Sequence, residues 1–344
     1  MMPPETSIIL VGWAFLVAFC LAAIFVRVLF SRPLHALILD KPNDRSLHTI
    51  PVPRTGGIGL DAAAFLTWAA LAPTATYPAM LFALILAGVS LADDIAALSA
   101  SRRLLVHVAV ATLAVVVYPP AGLAIAPLAI LTFVWMSNLY NFMDGSDGLA
   151  GGMALIGFGT YAAAAFSADA TALAIAAAAV AGAAGGFLIW NFPKAKIFMG
   201  DSGSVPLGFL AALLGYLGWQ DGIWPFYFPA LVFLPFIADA TVTLIRRALR
   251  GERLSDAHRT HYYQRLNQMG LGHRKTALYA YALMLAAAAS ALLTLHLPEM
   301  GVGLVIVLWL AGSALLMRGI DRAWRAFESS PRPVPIAPAP SQTR

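Results

Sequence analysis

The residues best suited to chemistry in this sequence are acids and amides that recur at short spacing in polar segments between long apolar runs. Asp144 and Asp147 are three positions apart and each is followed by a glycine, while Asn138 and Asn141 precede them with the same spacing. Residues three apart share one face if the turn is helical, and glycine lets a backbone approach a ligand closely. A simple Asp-Gly turn is the structural alternative, but it leaves the two asparagines unexplained.

Two further acidic segments stand at the ends of apolar runs. Asp93 and Asp94 are adjacent carboxylates that repel each other, where one acid would suffice as an interfacial anchor, and we therefore favour a functional pair. Asp201 precedes another apolar run, and Ser202 and Ser204 could cap the helix that starts there. Backbone N–H groups at such a helix start also suit phosphate oxygens. Hard oxygen donors without cysteine indicate Mg²⁺ or Mn²⁺, held together with substrate phosphates.

A basic connection at residues 246–275 carries two histidines that a structural explanation does not easily cover. We predict a short interfacial helix that ends at Gly270. On it, His258, His261 and Arg265 would form one polar stripe because they follow i, i+3, i+7 spacing. A basic amphipathic helix that rests on anionic lipid explains the arginines. An anion site for a diphosphate explains the arginines and the histidines.

Composition places all these segments in an integral membrane protein. The chain of 344 residues is 60% hydrophobic and only 11% charged, whereas soluble domains carry roughly a quarter charged residues. The single Cys20 lies in an apolar run, which excludes a disulfide framework and a cysteine-based metal site. The first apolar run is too long for a signal peptide and lacks a basic start, so we interpret it as a retained transmembrane helix.

The apolar runs predict an all-α, polytopic transmembrane bundle. A helix needs about 20 apolar residues to cross the hydrocarbon core. This criterion gives about eleven spans, at residues 7–30, 57–77, 78–92, 104–119, 121–140, 149–167, 171–191, 205–220, 224–245, 276–297 and 300–319. We predict one membrane domain at residues 1–328 and a disordered cytoplasmic tail at residues 329–344, which is rich in proline and lacks an apolar period.

The basic residues predict the orientation of the bundle. All 22 lysines and arginines lie in or beside alternate connections, and cytoplasmic loops carry the excess of these residues. The N-terminus is therefore predicted outside and the C-terminus in the cytoplasm. The segments with Asp93 and Asp94, with Asp201 and with the histidines fall in or beside basic connections. The connection with Asp144 and Asp147 has no lysine or arginine but falls on the same side by alternation, so the sequence predicts one site on the cytoplasmic face.

Two acids lie inside predicted spans instead. Asp61 and Asp239 are functional candidates because ionisable groups are rare in lipid, although Asp61 could equally be an interfacial residue. Pro225, Pro229 and Pro235 predict that the ninth span is bent. Such a bend could open a groove through which a lipid substrate reaches the site.

Taken together and in this order, the polar segments resemble the polyprenyl-phosphate N-acetylhexosamine-1-phosphate transferase family. That family includes the undecaprenyl-phosphate GlcNAc-1-phosphate transferases and the transferase that makes lipid I. The resemblance extends from about Asp40 to Lys275. The matching motifs are Asp40-Lys-Pro with Pro53-Arg-Thr-Gly-Gly57, Asp93-Asp94, Asn138-x-x-Asn-x-x-Asp-Gly-x-Asp-Gly-Leu149 and Phe198-Met-Gly-Asp-Ser-Gly-Ser204.

The resemblance implies a role for each candidate residue. Asp201 would be the catalytic Mg²⁺ ligand, with Asn141 as co-ligand. Asp93 and Asp94 would lie near the polyprenyl phosphate, as a base or only to position it. His258 and His261 would be catalytic residues of a diphosphate-binding loop. The substrate-binding residues would be Arg54, Arg103, Asn138, Asp144, Asp147 and Arg259. Which of Asp144 and Asp147 contacts substrate stays open.

The implied reaction transfers an N-acetylhexosamine 1-phosphate from a UDP-N-acetylhexosamine to undecaprenyl phosphate and releases UMP. The histidine loop reads His-Arg-Thr-His from His258, whereas the lipid I enzyme has three consecutive histidines. This difference favours the branch that starts O-antigen or related polysaccharides, with GlcNAc or a 6-deoxy-N-acetyl sugar. The lipid I-forming transferase and a multispan transporter are the alternatives.

The implied setting is the inner membrane of a bacterium, with several spans and the site facing the cytoplasm. The expected partners are the two substrates and the bilayer, and no nucleic acid. A homodimer is left open.

Overall fold

The computed structural model describes residues 4–31, 39–40, 51–96, 98–254, 256 and 258–330. Within these ranges the protein is an all-α bundle with one very short antiparallel hairpin, β1 (Leu39–Asp40) and β2 (Val52–Pro53), in which Asp40 lies opposite Val52. The helices are α1 (Pro4–Ser31), α2 (Gly56–Leu71), α3 (Tyr77–Ala96), α4 (Ala100–Val117), α5 (Ala126–Met143), α6 (Leu149–Ser167), α7 (Thr171–Asn191), α8 (Asp201–Gln220), α9 (Tyr227–Val232), α10 (Leu234–Leu249), α11 (Tyr262–Leu266), α12 (Gly272–Thr294) and α13 (Glu299–Ser329).

The predicted polytopic membrane fold is confirmed, but the number of spans differs from the prediction. In the described ranges, 9 helical segments are long and apolar enough to cross a membrane, against about eleven expected. The predicted second span corresponds to α2, which has only 16 residues. The predicted ninth span is divided into α9 and α10. The predicted tail beyond residue 330 lies outside the described residues, and α13 itself continues to Ser329.

Prolines explain the division of the ninth span. Phe233 separates α9 from α10 with φ −95° and ψ 12°, and Pro235 stands in the first turn of α10. A proline inside a helix removes one backbone hydrogen bond and clashes with the carbonyl four residues earlier. The chain therefore starts a new helix at Leu234, and the predicted bend is confirmed as a break.

The core of the bundle depends on close contacts between helices at small residues. α7 is buried along almost its whole length and packs on α1 and α6. A Cβ atom at Gly182 would overlap the backbone carbonyl of Phe15 in α1, and one at Gly186 would overlap the carbonyl of Phe19. Small residues at helix interfaces allow this approach where the hydrophobic effect gives no driving force between helices in lipid.

A second close contact positions the candidate site. A Cβ atom at Gly57 in α2 would lie only 2.5 Å from the Cα atom of Gly203 in α8. The segment before α2 also pairs with the segment before α8. The N–H groups of Gly56 and Gly57 donate to the carbonyls of Phe198 and Met199, both at 2.9 Å. The two helices therefore begin side by side.

Replacing Gly182 by alanine tests the packing of α1 on α7. We expect Gly182→Ala to destabilise the protein by about 1–3 kcal/mol, because the added methyl group meets backbone that cannot turn aside. Gly159→Ala in α6 is the matched control, since a Cβ atom there meets no atom within 4 Å and alanine favours helix over glycine by about 1 kcal/mol. The thermal unfolding midpoint in detergent measures both changes. Equal midpoints for the two variants would contradict this packing.

Candidate functional site

The carboxylate of Asp201 is the centre of a polar cluster formed where several helices end or begin. Arg54, two residues before α2, approaches its Oδ1 with Nη2 at 3.4 Å. Arg103, in the first turn of α4, approaches Oδ2 with Nη1 at 3.5 Å. The amide of Asn141, in the last turn of α5, donates to Oδ2 at 3.2 Å. One acid is thus shared by two cations and one amide from three separate segments.

The adjacent acids at the end of α3 separate because each pairs with a different arginine. Arg103 Nη1 lies 2.9 Å from Asp93 Oδ2, and the N–H of Leu98 donates to Asp93 Oδ1 at 2.6 Å. Asp94 turns the other way, with Oδ1 3.4 Å from Arg54 Nη2. Its side chain is only 3% exposed, and its Oδ2 has no hydrogen-bond partner among the described residues. The repulsion expected between neighbouring carboxylates is therefore offset by cations from two directions.

The serines that follow Asp201 do not cap α8, which was one of the alternatives that the sequence left open. Gly200 is the N-cap residue, with a positive φ of 74°, and no side-chain cap is present. Ser202 and Ser204 are buried. The hydroxyl of Ser204 donates to Asn141 Oδ1 at 2.8 Å. Ser204 therefore orients the amide that contacts Asp201, a role that the capping interpretation missed.

Asp144 and Asp147 do not share a face, because the turn that holds them is not helical. Asp147 accepts a hydrogen bond from the Ala195 N–H at 2.9 Å and pairs with His273 Nδ1 at 3.4 Å. Both of its oxygens are engaged in joining three chain segments. Asp144 points instead toward Asp201 and Arg54, and the Gly200 N–H donates to it. The Asp-Gly turn interpretation thus fits Asp147, whereas Asp144 borders the cluster.

The pKa of Asp144 is raised well above its ordinary value of 3.8. Burial is the main cause and the nearby charge of Asp201 is the second, although the residue is only partly buried. The folded protein therefore binds more protons than the unfolded chain between these two pKa values, and stability rises as pH falls through that window. Wherever the Asp144 carboxyl is charged, that charge opposes folding. Acids placed against the demands of stability are typical of functional sites.

The histidine segment folds differently from the predicted helix. α11 has only five residues, and His258 lies before it, so the predicted stripe of His258, His261 and Arg265 is wrong. The backbone turns sharply at Gly270, where φ is 95°. The Tyr263 hydroxyl donates to the Phe142 carbonyl at 3.0 Å. This bond joins the segment to the end of α5, one residue beyond Asn141.

Burial lowers the pKa of His258 to about 4, and the neighbouring His261 and Arg247 act in the same direction. The imidazole of His258 is therefore neutral near pH 7, and the hydroxyl of Thr260 lies 2.9 Å from its Nδ1. The stability that this neutral histidine contributes is lost as pH falls from about 6.5 toward 4, since the unfolded chain takes up the proton first.

Two other predicted residues lie away from the cluster. Asn138 lies in α5 and contacts only residues of α4 and α5 among its hydrogen bonds in the described chain. Its amide donates to the Val134 carbonyl at 2.7 Å and lies 3.2 Å from His107 Nδ1. Arg259 is exposed. The roles predicted for these residues, as for the others, stay predictions.

The residue types around Asp201 fit a hard divalent cation. No three acidic, histidine or cysteine side chains in the described ranges form a ready-made metal cage. Mg²⁺, however, commonly uses one or two carboxylates and takes its other ligands from water and substrate phosphates. Asp201 offers such a carboxylate. The Oδ2 of Asp94, buried and without a partner among the described residues, offers a second oxygen, although the motifs placed Asp94 near the lipid phosphate and not at the metal.

Comparison with known proteins decides the family. A family model described as glycosyl transferase family 4 matches residues 77–218. A Bacillus subtilis protein named "Probable undecaprenyl-phosphate N-acetylglucosaminyl 1-phosphate transferase" is 31% identical over 71% of this chain and 73% of its own length. The chain belongs to glycosyl transferase family 4. The resemblance carried by the motifs is thereby confirmed, and the transporter alternative loses its support.

Other members of family 4 match over different lengths. The decaprenyl-phosphate N-acetylglucosaminephosphotransferase of Mycobacterium tuberculosis is 31% identical over 70% of this chain and 71% of its own. The phospho-N-acetylmuramoyl-pentapeptide-transferase of Halalkalibacterium halodurans is 33% identical, but over only 41% of this chain. The region matched by the family 4 model contains Asp93, Arg103, Asn141 and Asp201 but excludes Arg54 and the histidine segment. The core of the cluster thus lies inside the matched region.

The different surroundings of Asp144 and Asp147 predict opposite effects on stability. We expect Asp147→Asn to lower the thermal unfolding midpoint, because it weakens the bond to Ala195 and the pairing with His273, a loss of roughly 1–2 kcal/mol. We expect Asp144→Asn to leave the midpoint unchanged or to raise it, with the larger gain at the higher pH, where more of the native carboxyl is charged.

Thermal unfolding in detergent at pH 7 and pH 5 measures both variants against the native protein. A drop for Asp144→Asn as large as that for Asp147→Asn would contradict this assignment.

Proposed function

We propose that the protein transfers an N-acetylhexosamine 1-phosphate from a UDP-N-acetylhexosamine to undecaprenyl phosphate and releases UMP. In this reaction an oxygen of the lipid phosphate forms a bond to the sugar-proximal β-phosphorus. The bond between that phosphorus and the oxygen bridging to the α-phosphorus breaks, and UMP leaves with the electron pair. The product is an undecaprenyl diphosphate that carries the sugar.

The observation that carries this proposal is the balance of charge at Asp201. Arg54 and Arg103 each contact this carboxylate at 3.4–3.5 Å and each also contacts one acid of the Asp93–Asp94 pair. Two guanidinium groups held by carboxylates form a site that phosphate groups can enter by replacing the carboxylates as partners. The names of the relatives, which act on polyprenyl phosphates, support the same chemistry.

The arginines and the histidine segment would offset the charge that develops as the diphosphate is cleaved. Phosphoryl transfer is catalysed mainly by positioning and electrostatic stabilisation. Because His258 is neutral near pH 7, it would act as a hydrogen-bonding group rather than as a cation. A lipid phosphate monoester is already largely ionised at neutral pH, with a second pKa of about 6, so direct attack requires no strong base. Asp93 and Asp94 are both committed to arginines, which agrees with a positioning role.

Mg²⁺, or Mn²⁺ in its place, would be held by Asp201 with Asn141, and its chemistry would be to neutralise and orient the diphosphate oxygens. Asn141 Oδ1 has two lone pairs, so it could bind the metal with one while it accepts from the Ser204 hydroxyl with the other. Asp94 could supply a further oxygen. These assignments rest on the donor chemistry described above.

The same proposal includes the cellular setting and the pathway. The protein is a multi-pass membrane protein, and the sorting of its basic residues supports a site on the cytoplasmic side of a bacterial inner membrane. We infer GlcNAc as the first candidate sugar from the names of the relatives, with a 6-deoxy-N-acetyl sugar as the second. The product would start O-antigen or another cell-surface polysaccharide.

A panel of UDP-sugars offered with undecaprenyl phosphate and Mg²⁺ to membranes containing the protein tests the proposal. We expect release of UMP with UDP-GlcNAc or a UDP-6-deoxy-N-acetyl sugar. Turnover of UDP-MurNAc-pentapeptide would instead favour the lipid I-forming alternative.

The variant Asp201→Ala should lower the rate of UMP release at least about 100-fold, as expected for loss of a principal electrostatic group. Its folding is checked by the thermal unfolding midpoint. Unchanged turnover would overturn the role of Asp201, and a phosphorylated Asp93 or Asp94 trapped with substrate would overturn direct attack.

A further inference from the structure

The carboxylate of Asp239 in α10 is contacted by donors from three residues of the histidine segment and from Thr243 of its own helix. Its Oδ1 accepts from the N–H of Tyr262 at 2.9 Å and from the Thr243 hydroxyl at 3.2 Å, and lies 3.2 Å from His261 Nδ1. Its Oδ2 accepts from the N–H of Tyr263 at 3.0 Å. Both oxygens of this carboxylate are therefore held in place by donors from other parts of the chain.

This arrangement determines which nitrogen of His261 carries hydrogen. A carboxylate can only accept, so Nδ1 of His261 must be the donor to Asp239. The His261 side chain also takes part in a capping box with Gln264 at the start of α11, and the other ring nitrogen, Nε2, is not among the fully buried unpaired atoms of the described ranges. Nε2 is thus left available to a ligand, in a residue that is itself only 2% exposed.

The imidazole is also fixed in orientation by its neighbours. The rings of Phe142 and Tyr263 lie nearly parallel to it, with centroids at 6.2 and 5.9 Å. The His261 N–H is bonded to the Gln264 side chain at 3.2 Å. Phe142 follows Asn141 directly in the chain. The ring is therefore held against the end of α5, which contributes Asn141 to the Asp201 cluster.

We propose that Asp239 is a positioning residue of the reaction, which acts through His261 by holding its Nδ1–H and its ring so that Nε2–H of the imidazolium donates to a phosphate oxygen of the nucleotide sugar. The inference rests on the proposed function. A carboxylate behind a histidine orients the ring and favours its interaction with developing negative charge. Asp239 has a second task, since its bonds to Tyr262 and Tyr263 satisfy the first N–H groups of α11.

The test must separate these two tasks, and a double-mutant cycle does so. We expect His261→Ala to lower kcat for UMP release roughly 100-fold, within the range for a positioned proton donor or acceptor. Asp239→Asn should lower kcat about 10- to 100-fold with little change in KM, as found for residues behind a functional histidine. The double variant should be no slower than His261→Ala alone, because Asp239 has nothing left to position. Asp239→Glu should recover part of the lost rate.

Thr243→Val is the matched control. It removes one neutral donor to the same carboxylate but leaves His261 in place, and kcat should stay within about twofold. The thermal unfolding midpoint reports any loss of the α11 contacts separately.

If the losses of Asp239→Asn and His261→Ala multiply in the double variant, Asp239 acts through the fold and the inference is wrong. An equal loss for Thr243→Val would have the same meaning. A native protein that releases no UMP from any UDP-sugar would overturn the proposed function itself, and the inference with it.

Discussion

Two guanidinium groups confront four carboxylates in the polar cluster, and this charge balance explains why several helices must end at one place. Arg54 contacts Asp94 and Asp201, and approaches Asp40 at 4.0 Å, while Arg103 contacts Asp93 and Asp201. A charge without a partner would be strongly unfavourable at a position as buried as that of Asp94. Each buried acid of the cluster is therefore stable only when an arginine from another segment lies beside it. The helices must be placed precisely for these pairs to form.

Backbone contacts supply this precision. Gly57 and Gly203 let α2 and α8 begin almost in contact, and the bonds of Gly56 and Gly57 to Phe198 and Met199 fix their register. Arg54 and Asp201 flank this junction on the two segments of the chain that meet there. A side chain at either glycine would separate the arginine from its acid. The small residues thus position the chemistry as well as filling the bundle.

Local sequence patterns predicted the helices and the members of the cluster well, because long apolar runs and adjacent acids report directly on burial and charge. They failed where the deciding partner is distant in the chain. Asp144 and Asp147 have the same local pattern, but Asp147 is bound by His273, 126 residues away. α11 begins at Tyr262, where Asp239, more than 20 residues earlier, accepts from its first N–H groups. Residue spacing reveals neither His273 as the partner of Asp147 nor Asp239 as the partner of α11. The only indication for Asp239 was that it is a single acid inside an apolar span.

The fate of the β-phosphorus tests the central claim most directly. UDP-GlcNAc, or the UDP-sugar that the protein accepts, is labelled with radioactive phosphorus at the β position and incubated with undecaprenyl phosphate and the native protein. The account predicts that the label enters the lipid fraction together with the sugar while UMP leaves unlabelled, and that Asp201→Ala abolishes the transfer. Sugar found in the lipid fraction with the label released as UDP would contradict it, because the protein would then transfer the sugar without its phosphate.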